Sequence, residues 1–210
     1  DSTPYKVDLM QGRPLDRNTA RPGFLGPAYK PFRPDISLMF HSELESLGKW
    51  YRQLLGESIG KEHNLRGETI HAGITPTVSI GSTDLHSVGQ LYLGGPKDKI
   101  TTFVYAQSRA EPRVPKNTQF GALVRDINGK SFQAIMSAIF EGVKIAYKNT
   151  GLPFTEIALS KISPRELGAF MQFKMIEVMY LGFLLNVNAF DQPHVEAYKS
   201  ETKKILRALS

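Results

Sequence analysis

Residues 128–166, NGKSFQAIMSAIFEGVKIAYKNTGLPFTEIALSKISPRE, hold a turn, a helix, a strand and the start of a second helix, in that order. Asn128 and Gly129 form a turn dipeptide. Beyond it Phe132, Ile135, Met136, Ile139, Phe140 and Val143 recur at 3.6-residue spacing, which predicts a helix with one apolar face. Phe154–Leu159 reads as a buried strand. At Ser163, Pro164 and Glu166 a hydroxyl N-cap, a proline at the first helical position and a glutamate three residues past the cap coincide. The apolar helix they open ends near Leu185. A strand set between two helices is the repeating unit of an α/β layer fold.

The same alternation extends outward. Ile100–Ala106 is a second buried strand, and residues 77–80 a third. The loop 81–84 follows, then a helix carrying His86 to Leu91. Further upstream, Ser42 and Glu45 have capping-box spacing, Leu44, Leu47, Trp50, Tyr51 and Leu54 mark a helical face, and Gly60 is the stop. A last helix covers about residues 193–209. Strands separated by helices predict a parallel sheet with helices on both faces. Ligands of such sheets sit beyond the carboxyl ends of the strands, which points first at residues 81–86.

Residues 1–35 read differently. Six of the 13 prolines fall there (Pro4, Pro14, Pro22, Pro27, Pro31 and Pro34), with Gly12, Gly23 and Gly26 between them. Proline fixes φ and removes a donor, so no regular helix or central strand is expected in this stretch. Residues 1–36 are therefore read as an arm or linker and 37–210 as one domain.

With 210 residues, 41% hydrophobic and 22% charged, the chain can bury a core without staples. Absence of cysteine excludes disulfides, thiolate metal sites and thiol nucleophiles, and fits a reducing cytoplasmic setting. The longest apolar stretch, near residues 178–185, is well short of the roughly 20 residues that span a bilayer. No apolar signal-peptide core is present at the N-terminus. Net charge is +6, but the basic residues are scattered, so neither nucleic acid nor membrane binding is expected. The five histidines show no HExxH or i, i+4 pairing, so no metal is expected, and no cofactor motif occurs. A phosphate-loop reading of Gly129–Lys130–Ser131 fails because Val124 stands where the first glycine belongs.

Three segments carry chemistry. Residues 48–61 read GKWYRQLLGESIGK, residues 81–92 GSTDLHSVGQLY, and residues 188–199 NAFDQPHVEAYK. In order and interval they resemble the C-terminal half of glucose-6-phosphate isomerase (phosphoglucose isomerase), nearest the bacterial type, over roughly residues 37–208. Residues 91–102 (LYLGGPKDKITT) fit the same family.

The resemblance implies a three-layer sugar-isomerase (SIS) fold with a five-stranded parallel sheet. It implies interconversion of glucose 6-phosphate and fructose 6-phosphate, without a cofactor, through a cis-enediol. Glu57 takes the place of the family's proton-transferring glutamate, and Gln53 and Gln192 those of the glutamines that hold sugar hydroxyls. His86 and Lys199 match the ring-opening pair. The family's histidine comes from the neighbouring subunit, so a homodimer with a shared site is implied. The alternative is a non-catalytic sugar-phosphate-binding regulatory module of the same fold.

The residues permit that chemistry. Glu57 would sit near a helix C-terminus, where the dipole opposes ionisation and moves a carboxyl towards a useful general-base range. His86, read as lying in the first turn of its helix, would stay neutral there. Bland roles compete: a Glu57–Lys61 ion pair at i, i+4, a Lys199–Glu196 surface pair, and a solvent histidine at 86. Ala189 and His194 depart from the family's N-P-F-D-Q-P-G. The G-G-R-[FY]-S segment and the Ser/Thr-rich phosphate loop are missing, so about half of an active site is expected in these residues, the rest lying in an N-terminal subdomain or chain.

Overall fold

The computed structural model describes residues 7–10 (backbone), 34–106, 112–116, 119, 121–122 and 124–209. Strand β1 is Val7–Met10 and β2 Pro34–Met39, followed by a 3₁₀ turn, Ser42–Leu44, and helix α1, Glu45–Ile59. A hairpin comes next (β3, Lys61–His63; β4, Thr69–Ala72), then β5 at Thr75–Ile80. Helices α2 (Thr83–Ser87) and α3 (Gly89–Gly94) lead to β6 (Ile100–Ala106). Helix α4 (Phe132–Thr150), β7 (Phe154–Leu159), α5 (Pro164–Leu185) and α6 (Val195–Ala208) complete the chain.

The main sheet has the order β1-β7-β6-β2-β5. Strands β7, β6, β2 and β5 are parallel, and β1 pairs antiparallel with β7. The sheet is thus four parallel strands with an antiparallel edge, not five parallel strands. The remainder of the stretch read as an arm, 1–6 and 11–33, lies outside the described residues. Its end at residue 36 needs correction, because β2 opens at Pro34 and lies between β5 and β6. A first strand residue is a position that tolerates the missing N–H. Pro34, Asp35 and Ser37 hid the short apolar alternation Ile36, Leu38.

The caps behave unevenly. Ser131 Oγ accepts from the Ala134 N–H at 3.2 Å, and Ser163 Oγ from the Glu166 N–H at 3.4 Å, with Pro164 in the first turn. The Ser42/Glu45 box does not form, since His41 Nδ1 caps the preceding turn through the Glu43 N–H. Gly60 does end α1, in extended rather than left-handed conformation.

Two layers of apolar contacts flank the sheet. On one face Phe103, fully buried, meets Phe140, Tyr147, Phe154 and Phe40 at centroid separations of 5.1–6.0 Å, mostly edge-on. Truncating Phe103 to alanine would cost about 3–5 kcal/mol. On the other face Met39, Val104, Ile157 and Leu159 pack beneath Leu44 of the 3₁₀ turn, Leu47 of α1 and Phe170 of α5. Helix α1 sits close to the sheet because Gly48 has no Cβ; one would lie 2.7 Å from Val78 Cγ1. Helix α5, with 22 residues, is long and apolar enough by length and composition to cross a bilayer, which the short apolar run did not suggest. It is instead a helix of the fold, with Phe170, Lys174, Val178 and Gly182 buried against the protein.

Candidate active site

Helix α1 runs back from the carboxyl end of β2, so its last turn lies at the amino end of the sheet. Gly73, before β5, is there with Gly60: a Cβ on Gly73 would be 3.4 Å from the Gly60 Cα. Helix α5 likewise returns from β7 and ends at Asn186, whose left-handed backbone (φ 56°) turns the chain into residues 187–192. That loop is seated on α5 through Gly182, where an added Cβ would meet Ala189 Cβ at 3.0 Å. Asn188 Oδ1 accepts the Phe190 N–H at 3.0 Å, and its amide donates to Asp191 at 2.8 Å, so the turn holds despite alanine at 189.

These elements assemble around Glu57. Gln53 Nε2 donates to Glu57 Oε1 at 3.0 Å, and Gln192 Nε2 to Glu57 Oε2 at 3.0 Å. Gln53 is one turn away on the same helix face, and Gln192 is brought from 135 residues on. Both carboxyl oxygens therefore face amide donors. The carboxylate is half-buried and Gln53 and Gln192 are exposed. An approaching polyol can therefore compete for the amides without entering a closed cavity.

Lys61 does not pair with the Glu57 carboxylate. Its ammonium, buried at 6% exposure, reaches the Glu57 backbone carbonyl at 3.0 Å, Asp191 Oδ1 at 3.0 Å and the Asp191 carbonyl oxygen. The hydrogen bond from Lys61 holds the Asp191 carboxyl below its usual range. Lys61 thus ties the end of α1 to the loop and leaves the Glu57 side chain to the two glutamines. Asp191 was missed in the sequence, although Asn188 and Asp191, three apart around a turn, were the signal.

The other two expected residues lie elsewhere. His86 occupies the last turn of the five-residue α2, not the first turn of a longer helix, so the dipole argument for it falls. Its ring is exposed at the carboxyl end of β5. The six residues of β5 separate that end from Glu57 by roughly 17 Å at about 3.3 Å per residue. A cavity of about 440 Å³, lined by Phe40, His41, Ser82, Thr83, Met136 and Phe140 among others, opens at the same end. Lys199 lies on α6, where it pairs with Glu196 at 2.8 Å and is thereby raised above the ordinary lysine value. The surface pair proposed as its bland role is formed. Among the described residues no cluster of three or more His, Asp or Glu could hold a metal ion.

Fold and site together define an α/β domain with a mainly parallel sheet and an acid–amide cluster at the amino end of its strands. The model of the phosphoglucose isomerase family matches residues 32–210, and the chain belongs to that family. It is 39% identical over 178 residues to a glucose-6-phosphate isomerase of Methanocaldococcus jannaschii, covering 81% of this chain and 39% of that protein. A glucose-6-phosphate isomerase of Carboxydothermus hydrogenoformans is 32% identical over 172 residues, covering 81% and 37%. Among solved structures, a hypothetical protein of Thermus thermophilus superposes with a TM-score of 0.77 at 30% identity, over 83% of this chain and 41% of that one. A glucose-6-phosphate isomerase of Chlamydia trachomatis shares the fold, with a TM-score of 0.67 at 18% identity over 91% and 37%. The chain spans about two fifths of the length of these relatives.

Proposed function

We propose that this chain is the C-terminal, proton-transferring portion of a cytoplasmic glucose-6-phosphate isomerase. The observation that carries the reading is the Glu57 carboxylate, oriented by Gln53 and Gln192 and freed from Lys61. Glu57 takes the proton from C2 of the open-chain aldose while O1 takes one up from water, giving the cis-enediol. It then returns a proton to C1 while O2 releases one to water, giving the ketose. Gln53 and Gln192 exchange part of their bonding to the carboxylate for sugar hydroxyls. Neither step calls on a cofactor.

Ring opening falls to His86 and Lys199. One strand length separates His86 from Glu57 within the chain, which supports a site completed by His86 of a second copy in a homodimer. The phosphate, carrying about −2 charge near pH 7, needs converging donors, usually backbone N–H groups and hydroxyls. The remaining three fifths of the relatives' length is the source we assign to them. Tyr180, Phe183 and Leu184 of α5 and Phe190 are 58–77% exposed. An apolar surface of that extent suits burial against such a subdomain. The family match does not favour the alternative of a non-catalytic binding module.

The test is a coupled isomerase assay. The 210-residue chain alone should neither isomerise glucose 6-phosphate appreciably nor bind it tightly, and adding the N-terminal subdomain, in cis or as a separate chain, should restore both. Robust turnover by the 23.4 kDa chain would overturn the division of the site.

A further inference from the structure

Four polar side chains that the proposed chemistry does not use meet beneath α1. Tyr51 of α1, 1% exposed, has its hydroxyl 3.0 Å from Asp35 Oδ2 on β2 and 2.8 Å from Glu177 Oε1 on α5. Lys174 of α5, 2% exposed, donates to both Glu177 oxygens at 2.9 Å and lies 4.4 Å from the centre of the Tyr51 ring.

A phenol has one proton and cannot donate to two carboxylates. One of the two acids must therefore carry a proton and donate it to Tyr51 Oη. Glu177 is the ionised one: its oxygens share the Lys174 ammonium and its side chain is 31% exposed. Asp35 is 8% exposed, has no contact as close with Lys174, and its Oδ1 has no hydrogen-bond partner. A buried carboxylate with one bare oxygen is costly, whereas a carboxylic acid there leaves only a carbonyl oxygen unpaired.

We infer that Asp35 is held as a neutral carboxylic acid, and that the chain Asp35–Tyr51–Glu177–Lys174 is a proton-dependent clamp fixing α1 between β2 and α5. The proton runs from Asp35 Oδ2 to Tyr51 Oη, and the Tyr51 O–H donates onward to Glu177. The charged groups facing Asp35 are Lys174 and Glu177 from α5. Tyr51 faces it from α1, and its neighbours in register on β5 and β6 are Pro76 and Ile100, which do not titrate. Burial is the largest influence on Asp35 and pushes its carboxyl up, against the smaller opposing pull of Lys174. Because α1 also carries Gln53 and Glu57, the clamp positions them; that consequence rests on the proposed function, while the protonation of Asp35 does not.

The sign of the pH effect follows. With the folded value raised above the ordinary 3.8, the clamp is complete at acid pH. The folded-to-unfolded ratio then falls by up to about tenfold per pH unit between the unfolded and folded values. Carbon-13 NMR of the aspartate carboxyls in the chain, titrated from acid to neutral pH, reads this directly. Asp35 should remain protonated after the exposed aspartates have ionised, and Asp35→Asn should keep the fold and lose this fall in stability. Glu177→Gln should be the more damaging of the two amide variants. Asp35 titrating with the exposed aspartates, or Asp35→Asn unfolding while Glu177→Gln is tolerated, would overturn the assignment.

Discussion

The two ends of the sheet are built on different plans. At the amino end three chain segments converge on Glu57: α1 and the loop after α5 through glutamines on its carboxylate, and the start of β3 through Lys61 on its backbone carbonyl. The Glu57 carboxylate, both glutamine amide N–H groups and Asp191 have partners inside the chain, and Lys61 is buried to hold the frame. At the carboxyl end, where ligands of parallel sheets usually lie, His86 projects from one turn of helix beside an open cavity. The first region is organised before any ligand arrives. The second offers a side chain outward. A base must be held in register with a C–H bond, and small misplacement is costly. A group supplied to another copy must instead protrude.

The largest effect should come from the organised end. In the protein carrying both halves of the family's length, Glu57→Gln should keep sugar-phosphate binding and lower kcat by about 10²–10⁴-fold, as general-base loss does. A variant within a few-fold of wild type would remove Glu57 from its role and flatten the contrast between the ends.

The protruding end is tested by complementation. Glu57→Gln and His86→Ala proteins, each impaired, should regain part of the activity once mixed and exchanged, because a hybrid dimer has one intact site. No recovery after confirmed exchange would mean that His86 serves no partner.

A smaller effect is expected from the frame. Lys61→Met leaves the Asp191 and Glu57 carbonyls without their donor, and about 1–3 kcal/mol of stability should go in denaturant titration. Activity should fall less than in Glu57→Gln. With Asp191 lowered by Lys61, this tie is present at neutral pH and weakens as the pH drops through the folded value, below 3.8. Asp191→Asn should remove that acid-limb dependence. The smallest change should follow Glu196→Ala, which frees the exposed Lys199; surface pairs of this kind contribute little, and the melting temperature should stay put.

Much of this fold was legible because its signals are local. The Phe132–Val143 periodicity, the Ser163–Pro164–Glu166 start and the strands Ile100–Ala106 and Phe154–Leu159 depend on residues within one or two turns of each other. What escaped notice was short, polar or paired at long range. The β3–β4 hairpin has seven strand residues with little apolar alternation, and Asn64 closes it through Oδ1 bonds to the Arg66 and Glu68 N–H groups. Strand β2 hid behind a proline and an aspartate.

The amino-acid sequence alone determined the alternation of helices and strands along most of the chain, the cap at Ser163, and three ordered motifs that mark the family. Spacing also placed Gln53 one turn from Glu57. Tertiary structure alone decided partners. Lys61, four residues from Glu57 and suited to pair with it, turns to Asp191, 130 residues away. Gln192 reaches Glu57 across 135 residues, and His86 is carried to the opposite edge. Asp35 keeps its proton because the packing of α1 and α5 over β2 buries it, against the pull of Lys174. Local periodicity follows from backbone geometry repeated every few residues. The choice among competing hydrogen-bond and charge partners follows from burial and direction, which exist only once distant segments have packed.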